Sequence, residues 1–388
     1  MRTPKLSNPA RPRLASLAIA CQIVMVMATA SFAQEARNPD YPHQPQLVEF
    51  DAPGAAKSAS PNCGTGCGTV AYANDAWGDI VGYYTDANVV PHGFLRTPGG
   101  HFISFDAPGA GLGAGLNQGT AAFGINDLGE IVGQYQDSNY VYHGFIRNPD
   151  GSFTTFDASG AGRGANQGTL AWDIGPFGRT AGSYIDGNNV YHGFVRSRTG
   201  ASASFDPPGS VFTYVCEETC LNSVGSVTGF YSDTNGNTHG FVRDRSGKIT
   251  TFDAPGAVAT IAASIDPQGV IAGYFLDGTF VAHGFVREPD SRFSTFSLPE
   301  AGKAPGQGTV PFSINLFGAV AGEFIDANNV MRGFERLGTR YFATFHAPDA
   351  GSSAGQGTRP STNNADGSVT GWWVDALGLN HGFVWSPY

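Results

Sequence analysis

Charged side chains are scarce in this chain of 388 residues, in which Asp, Glu, Lys and Arg make up only 14%. An average globular protein carries about a quarter. The charge is also unbalanced, with 32 acidic residues against 22 basic ones. Because an acidic surface repels phosphate backbones and anionic lipid head groups, nucleic acid and membrane surfaces are not expected partners.

Several patterns that carry chemistry are missing from the sequence. It has no His-Glu-x-x-His zinc signature and no phosphate-binding loop ending in Gly-Lys-Ser or Gly-Lys-Thr. Helical periodicity is absent after residue 33. These absences argue against metalloprotease and nucleotide chemistry of those types, and they favour an all-β fold.

The chain contains five cysteines, of which Cys21 lies in the N-terminal segment. The other four form two Cys-x-x-x-Cys pairs. In an exported protein this pattern predicts the disulfides Cys63–Cys67 and Cys216–Cys220. A four-thiolate zinc site is the alternative, but the two pairs fall in repeats about half a ring apart.

Residues 1–33 have the pattern of a Sec-type signal peptide. Four basic residues precede an uncharged run over residues 14–30, and Ala33 ends a small-residue cleavage site. A membrane anchor is the alternative, but the run is shorter than the ~20 residues that a spanning helix needs. We therefore expect secretion to the periplasm or the exterior, no membrane insertion of the mature chain, and residues 34–46 as a short N-terminal segment.

A signature of His-Gly-Phe, or a close variant, recurs at intervals of 44 to 51 residues. Its copies begin at His92, His143, His192, His239, His283, Arg332 and His381. The flanks of each copy read as four short strands bounded by Gly, Asp, Asn or Pro. A period of this length with four strands per repeat predicts a seven-bladed β-propeller of four-stranded blades over residues 47–388.

The two ends of the chain predict how the ring closes. The C-terminus stops after a third strand that begins at His381, whereas residues 47–51 read as a fourth strand without its own repeat. Pairing these strands completes the last blade and removes two exposed sheet edges. We therefore predict a single closed domain, and we expect it to be a monomer.

The repeat resembles a bacterial extracellular repeat family named for a His-Ala-Phe core, the HAF repeats. The resemblance rests on Gly-Ile-Asn-Asp, Ile-Val-Gly-x-Tyr-x-Asp, His-Gly-Phe and Phe-Asp-Ala-Pro-Gly, which recur in that order across residues 47–388. Here Gly replaces the core Ala throughout, and Arg332 replaces one His. The resemblance implies a secreted, β-propeller-like bacterial protein and assigns no reaction.

An Asp at the end of the second strand accompanies the signature His in most repeats, which raises the possibility of acid–base or metal chemistry. Repetition at equivalent positions instead favours a structural hydrogen bond, with the Asp capping its turn. Asp233, Asn235 and Asn237 most resemble a calcium loop, but the distal bidentate acid of such loops is missing. We expect a plain turn there, with calcium as the alternative, and no other cofactor.

Departures from the repeat are the best candidates for function. Arg332 replaces a signature His next to Glu323 and Glu335, and the loop entering the fourth blade carries Tyr214, Cys216, Glu217, Glu218 and Cys220. We predict a ligand groove involving Arg332, Tyr214, Glu217 and Glu218. At turns on the opposite face, the aromatic rings of Trp77, Phe177 and Phe317 either stack on sugars or pack over the sheet edge.

These features favour a secreted binding or scaffold protein whose ligand is an extracellular or cell-wall polysaccharide. A polysaccharide lyase or glycoside hydrolase on the same scaffold is the first alternative, which rests on fold alone. An envelope protein-interaction module without a small ligand is the second. The sequence favours binding over catalysis, and it identifies no catalytic residue.

Overall fold

Short segments rich in β-branched and aromatic residues form strands along the whole repeat region. The computed structural model describes residues 45–58, 67–115, 118–215, 219–339 and 341–387, and within them it contains 28 strands and no helix. No helix in this described part is therefore long and apolar enough to cross a membrane. The sequence-based prediction of an all-β chain is confirmed, with strand ends in the second repeat matching to within one residue.

The strands fall into successive four-stranded units. Unit 1 comprises β2 (Gly68–Asn74), β3 (Ile80–Thr85), β4 (Pro91–Arg96) and β5 (Phe102–Phe105); unit 2 comprises β6 (Thr120–Ile125), β7 (Ile131–Gln136), β8 (Tyr142–Arg147) and β9 (Phe153–Phe156). Unit 3 comprises β10 (Gly168–Ile174), β11 (Thr180–Ile185), β12 (Tyr191–Arg196) and β13 (Ser202–Phe205); unit 4 comprises β14 (Ser210–Val215), β15 (Val227–Asp233), β16 (Thr238–Arg243) and β17 (Ile249–Phe252).

The later units continue the same order. Unit 5 comprises β18 (Ala259–Ile265), β19 (Ile271–Leu276), β20 (Ala282–Arg287) and β21 (Phe293–Phe296); unit 6 comprises β22 (Gly308–Ile314), β23 (Val320–Ile325), β24 (Met331–Leu337) and β25 (Tyr341–Phe345). Unit 7 comprises β26 (Gly357–Asn363), β27 (Val369–Val374) and β28 (Asn380–Ser386), with β1 (Gln46–Phe50) as its fourth strand.

Each unit is an antiparallel sheet whose strands pair with their neighbours in order. In unit 2, β7 pairs with β6 and β8, and β9 pairs with the outer side of β8. Single parallel bridges link several successive units, such as Tyr142 to Gly168 between units 2 and 3. Gly68 and Asn380 make the same bridge between units 1 and 7.

The glycine of the signature is required by a close approach of an aromatic ring. A Cβ atom on Gly144 would lie 2.7 Å from the ring of Phe156, which packs across it from the fourth strand. In units 1 to 6 and at Gly382 the signature glycine faces a fourth-strand phenylalanine in the same way. An alanine at this position would clash with that ring, so this packing requires the signature glycine.

Stacked aromatic side chains form the core between units. The signature phenylalanines of all the units are fully buried, as Phe94 and Phe145 illustrate. The guanidinium of Arg147 lies 5.0 Å from the ring centroid of Phe105, the last residue of the preceding unit. Since burial of one Phe stabilises by about 1.5–3 kcal/mol, this repeated packing is the main source of stability.

Units 7 and 1 make the contacts that other neighbouring units make. The guanidinium carbon of Arg96 lies 4.5 Å from the ring centroid of Phe50, matching the Arg147–Phe105 contact. The backbone N–H of Ala52 donates to Thr69 Oγ1 at 3.0 Å, just as Ala107 donates to Thr120. The first and last parts of the repeat region therefore pack against each other.

Candidate functional site

The signature histidines are held in a structural network that recurs from unit to unit. In unit 2, His143 Nδ1 lies 2.8 Å from Asp157 Oδ1, its Nε2 lies 3.8 Å from Asp137 Oδ2, and its ring stacks on Tyr135. Equivalent networks surround His92, His192, His239 and His381, and His283 contacts Ser297 and Asp277. Repetition of the same bonds supports the structural interpretation over catalysis.

The electrostatics of this network favour charged pairs. The hydrogen bond to Asp106 raises the pKa of His92 against the opposing effect of burial, and Asp86 raises it further. Around His381, burial lowers the pKa, but Asp51 and Asp375 raise it and outweigh burial. At these two histidines the carboxylates favour the charged ring, and Nδ1 lies within hydrogen-bond distance of Asp106 or Asp51.

The calcium candidate is a capped turn in this structure. Asp233 Oδ1 accepts the backbone N–H groups of Asn235 and Asn237 at 2.8 and 2.9 Å, and Oδ2 accepts their side-chain amides. These bonds lower the pKa of Asp233 to about 2. A calcium ion here would have to displace them. No group of three or more His, Cys, Asp or Glu suited to a metal occurs among the described residues.

Arg332 lies in a small cavity on unit 6. Its Nε donates to Asp326 Oδ2 at 3.2 Å, so it takes over the contact that histidine makes in other units. The cavity, of about 230 Å³, is also lined by Glu300 and His346. Glu323 and Glu335, which flank Arg332 in sequence, have different partners.

Glu323 pairs with an arginine of unit 7. Arg359 Nε donates to Glu323 Oε2 at 3.2 Å, and its guanidinium carbon lies 5.2 Å from the ring centroid of Trp372. Glu323 is 3% exposed, and burial raises its pKa while Arg359 opposes that rise. Position in the sequence alone assigned Glu323 to Arg332, but its side chain faces the neighbouring unit.

Tyr214 and Arg332 are not brought together. Tyr214 lies in β14, a strand rather than the predicted loop, and its ring contacts Trp172, Tyr191 and Phe230. Tyr214 is not among the residues that line the cavity around Arg332. Glu217 and Glu218 lie outside the described residues, so their part in a groove stays a prediction.

Both predicted disulfides also stay predictions. Cys67 and Cys220 are buried, whereas Cys63 and Cys216, their proposed partners, lie outside the described residues.

The three turn aromatics are all exposed, but Trp77 differs from the two phenylalanines in its contacts. Trp77 is 58% exposed, and its indole N–H donates to the backbone oxygen of Asp127 on the neighbouring unit at 3.1 Å. Phe177 and Phe317 are 73% and 76% exposed. Trp77 therefore caps an adjacent turn, while the two phenylalanines present free ring faces.

One short stretch of the sequence matches a serine motif of hydrolases. Residues 351–355 read Gly-x-Ser-x-Gly, the pattern of the nucleophile turn in α/β-hydrolases. That motif needs a strand-to-helix turn, whereas these residues form the loop between β25 and β26. The backbone N–H of Ser353 is bound by Gln356 Oε1. The loop therefore lacks the geometry of a nucleophile turn.

A cavity lined by many aromatic rings, called the aromatic cavity below, opens across units 1 to 3 and has a volume of about 430 Å³. Its aromatic lining residues are Tyr72, Tyr83, Phe123, Tyr135, Tyr140, Tyr142 and Trp172, and its amide lining residues are Gln134, Gln136 and Asn166. The rings of Tyr72, Phe123 and Trp172 follow one another at centroid distances of 4.7 Å. They form a continuous apolar wall.

Two buried polar atoms in the wall lack partners. The indole Nε1 of Trp172, whose side chain is 6% exposed, has no hydrogen-bond partner among the described residues, and neither has Gln134 Oε1. One is a donor and the other an acceptor. Both atoms are buried beneath the cavity surface, so a ligand in the cavity meets them only if the side chains move.

The aromatic cavity carries no charge. None of its described lining residues is Asp, Glu, Lys, Arg or His. Burial raises the pKa values of Tyr135 and Tyr142, so their hydroxyl groups stay neutral. A neutral wall of rings and amides suits binding and offers no acid–base pair.

Tyr140 is held in the cavity at a strained backbone position. Its φ is 63°, in the left-handed region that bulky residues avoid. Val89, Asn189, Phe280 and Asn329 occupy the equivalent place in units 1, 3, 5 and 6, also with positive φ. The turn therefore imposes this conformation on whichever residue stands there, and in unit 2 that residue is a ring that lines the cavity.

Sequence reasoning missed this cavity, although a signal was present. Three residues after the repeated Thr of the first strand, units 1, 2, 3 and 6 have Tyr72, Phe123, Trp172 and Phe312, whereas units 5 and 7 have Ala263 and Ser361. Large rings occur there in three consecutive repeats, but they are not confined to those repeats. Only the fold shows that these positions face one cavity.

Comparisons with known proteins support the fold. No protein-family model and no curated protein matches the chain. Among solved structures it is similar to virginiamycin B lyase from Staphylococcus aureus, with a TM-score of 0.54 and 14% identity over 88% of this chain and 99% of that one. It is also similar to a streptogramin B lyase structure, with a TM-score of 0.50 and 15% identity over 88% and 97%.

The fold is β-propeller-like. Both solved structures are β-propeller-like proteins, and this chain is all-β with successive four-stranded units. At identities this low, the likeness concerns the fold alone and transfers no activity.

Proposed function

We propose that this chain is a secreted carbohydrate-binding protein whose aromatic cavity holds part of an extracellular or cell-wall polysaccharide. Export is supported by the signal-peptide pattern of residues 1–33. The resemblance to HAF repeats supports the same compartment. The cavity volume of about 430 Å³ lies within the usual range for small-ligand sites.

The aromatic wall and the amide side chains beside it carry this proposal. A sugar ring presents an apolar face that stacks on Tyr or Trp, and its hydroxyl groups both donate and accept hydrogen bonds. The side chains of Gln134, Gln136 and Asn166 line the aromatic cavity, and their amide groups offer both donor and acceptor atoms.

The scaffold of this proposal is a closed seven-bladed propeller. The pairing of β1 with β28 supplies a fourth strand to unit 7. The Arg96–Phe50 and Ala52–Thr69 contacts repeat those between other neighbouring units. Closure would hold β2, β6 and β10, which carry Tyr72, Phe123 and Trp172, in fixed positions around the aromatic cavity. The binding wall would then be rigid.

A polysaccharide-degrading enzyme is the second candidate, and one observation favours it. The cavity of unit 6 brings Arg332, Glu300 and His346 together with Asp326. Such a set could supply a cation and a proton donor to an acidic sugar. This activity would shorten the polymer, whereas binding would leave its length unchanged.

The test is affinity electrophoresis of the exported chain against plant, algal and bacterial polysaccharides, followed by sizing of each polymer. We expect one polymer to retard the protein without loss of length. The Tyr140→Asn variant should bind about fivefold more weakly, since an aromatic contact contributes about 1 kcal/mol. Phe280→Asn is the matched control, because Phe280 has the same turn position and a φ of 61° but lies outside the cavity.

Three other outcomes would contradict the proposal. Equal binding by Tyr140→Asn and the wild type would place the ligand away from the aromatic cavity. Shortening of the polymer would favour the enzyme and make Arg332 the first residue to change. No retardation and no shortening across the panel would favour a protein-interaction module.

A further inference from the structure

A second groove, on the face that carries the turn aromatics, brings three arginines together. This arginine groove lies between units 3 and 4, has a volume of about 440 Å³, and is lined by Arg179, Arg198, Arg245, Phe177 and Val224. Phe177 and Val224 are exposed, at 73% and 53%. None of these residues lines the aromatic cavity.

Two of the arginines replace a proline of the repeat. Arg198 and Arg245 are the second residues of the turns 197–200 and 244–247, each closed by a backbone bond from glycine. Pro98, Pro149 and Pro289 hold that place in units 1, 2 and 5. Neighbouring units 3 and 4 therefore both carry an arginine where the turn itself favours proline.

The positive charge of the groove is poorly compensated. Arg198 lies 3.5 Å from Glu130 Oε1. Arg179 donates to the backbone oxygen of Gly225 at 3.4 Å, and among the described residues neither Arg179 nor Arg245 lies within ion-pair distance of a carboxylate. The surplus of positive charge is therefore local to a chain that is acidic as a whole.

The positive charge of Arg179 also affects a neighbouring arginine, Arg243. Burial lowers the pKa of the Arg243 guanidinium, and the charge of Arg179 lowers it further against the opposing effect of Asp244. The Asp244 carboxylate is engaged by Ser246 and by the backbone N–H of Lys248 in its own turn. These bonds lower the pKa of Asp244, so its carboxylate stays charged beside the groove, but it forms no ion pair with Arg179 or Arg245 in the described part of the chain.

We propose that the arginine groove is a second binding site, for a polysaccharide that bears carboxylate groups. Guanidinium groups bind carboxylates through paired, charge-assisted hydrogen bonds. The exposed ring of Phe177 beside them offers a face for the sugar ring. This inference rests on the proposed carbohydrate-binding function and adds a charge requirement that the neutral aromatic cavity does not impose.

The acidity of the whole chain makes such a cluster selective. A net negative surface repels polyanions, so an acidic polymer is held only where positive charge is concentrated. An acidic peptide would meet the same arginines, but it has no sugar ring to place on Phe177. The test therefore includes both kinds of polymer.

The experiment measures binding of the full exported chain to polygalacturonate, to its methyl ester, and to polyglutamate by affinity electrophoresis at low salt. The variants are Arg198→Pro/Arg245→Pro, which restores the residue of the repeat, and Arg245→Pro alone, which leaves the Arg198–Glu130 pair intact. The charge-matched control is Arg292→Ser/Lys303→Ser, which removes two positive charges outside the groove. Melting temperatures verify that each variant is folded.

We expect polygalacturonate to bind, and the ester and polyglutamate to bind at least about tenfold more weakly. The double proline variant should lose about tenfold in affinity, with a smaller loss for Arg245→Pro and none for the control or for Tyr140→Asn. Unchanged affinity in folded proline variants would overturn the inference. Loss in Tyr140→Asn alone would also overturn it while keeping the aromatic cavity, and equal binding of polyglutamate would replace the sugar by a peptide.

Discussion

Replacing Glu335 with valine is expected to raise the free energy of unfolding at pH 8 by about 3 kcal/mol. Glu335 is fully buried on β24, and burial raises its pKa to about 7. Its Oε2 has no hydrogen-bond partner among the described residues, and Oε1 meets only Asn363 at 3.5 Å. Val195, Val242 and Val286 occupy the same place in other units, so the site accepts valine.

The sign of the pH dependence follows from the raised pKa. Below the ordinary carboxyl pKa, about 4.5, Glu335 is protonated in both the folded and the unfolded state, and folding is not opposed. As the pH rises from there to about 7, the unfolded chain ionises while the folded chain keeps its proton, so the wild type loses stability. Each pKa unit corresponds to about 1.4 kcal/mol.

Urea unfolding at several pH values between 4 and 8 measures this effect. The difference between Glu335→Val and the wild type should grow over that range and then level off. Glu300→Ala removes an exposed carboxyl of the same charge and should show no such growth. A constant difference at all pH values would contradict the account of Glu335.

Replacing Phe50 with alanine is expected to destabilise the protein by about 3 kcal/mol, as large-to-small changes at packed aromatic sites do. The Phe50 ring contacts Phe94 and Phe102, and it lies beneath Arg96 and against Gly382. Phe50 ends β1, which is the first strand in the described part of the chain, and its partner β28 is the last. A strand with so distant a partner tests closure of the propeller.

The matched control is Phe156→Ala. Phe156 ends β9 of unit 2 and contacts Phe194, Arg196 and Gly144 in the same way. If β1 completes the last unit, both variants should show equal losses in the free energy of unfolding. A loss of under about 1 kcal/mol for Phe50→Ala, beside a full loss for Phe156→Ala, would mean that the ring is open there.

Much of the fold was predictable because the same sequence pattern recurs in every unit. The spacing of His143 and its counterparts gave the strands of each unit, and the aromatic positions gave the packing. Tyr214 was misplaced in a loop because unit 4 is irregular: Asp173 of unit 3 accepts the backbone N–H of Leu221, after β14 has ended at Val215. Here a carboxylate, rather than a neighbouring strand, accepts the backbone N–H group, and a single sequence does not show such an arrangement.

The candidate site was harder to predict because it depends on side-chain direction. Glu323 and Arg332 are separated by a hairpin in sequence, yet they face different neighbours, Arg359 and Asp326. Tyr140 and Trp172 come from different units, and only packing places them in one cavity. Departures from the repeat did identify candidates, and the proposals above rest on apolar rings and turn arginines rather than on the single replaced histidine.

The most direct test of the central claim is a crystal structure of the protein with an oligosaccharide of the polymer that it retains. We expect the sugar in the aromatic cavity, with a ring face against Trp172 or Tyr140 and hydroxyl groups within hydrogen-bond distance of the amide side chains of Gln134, Gln136 or Asn166. A sugar bound elsewhere, with the aromatic cavity empty, would contradict the assignment of this cavity as the binding site.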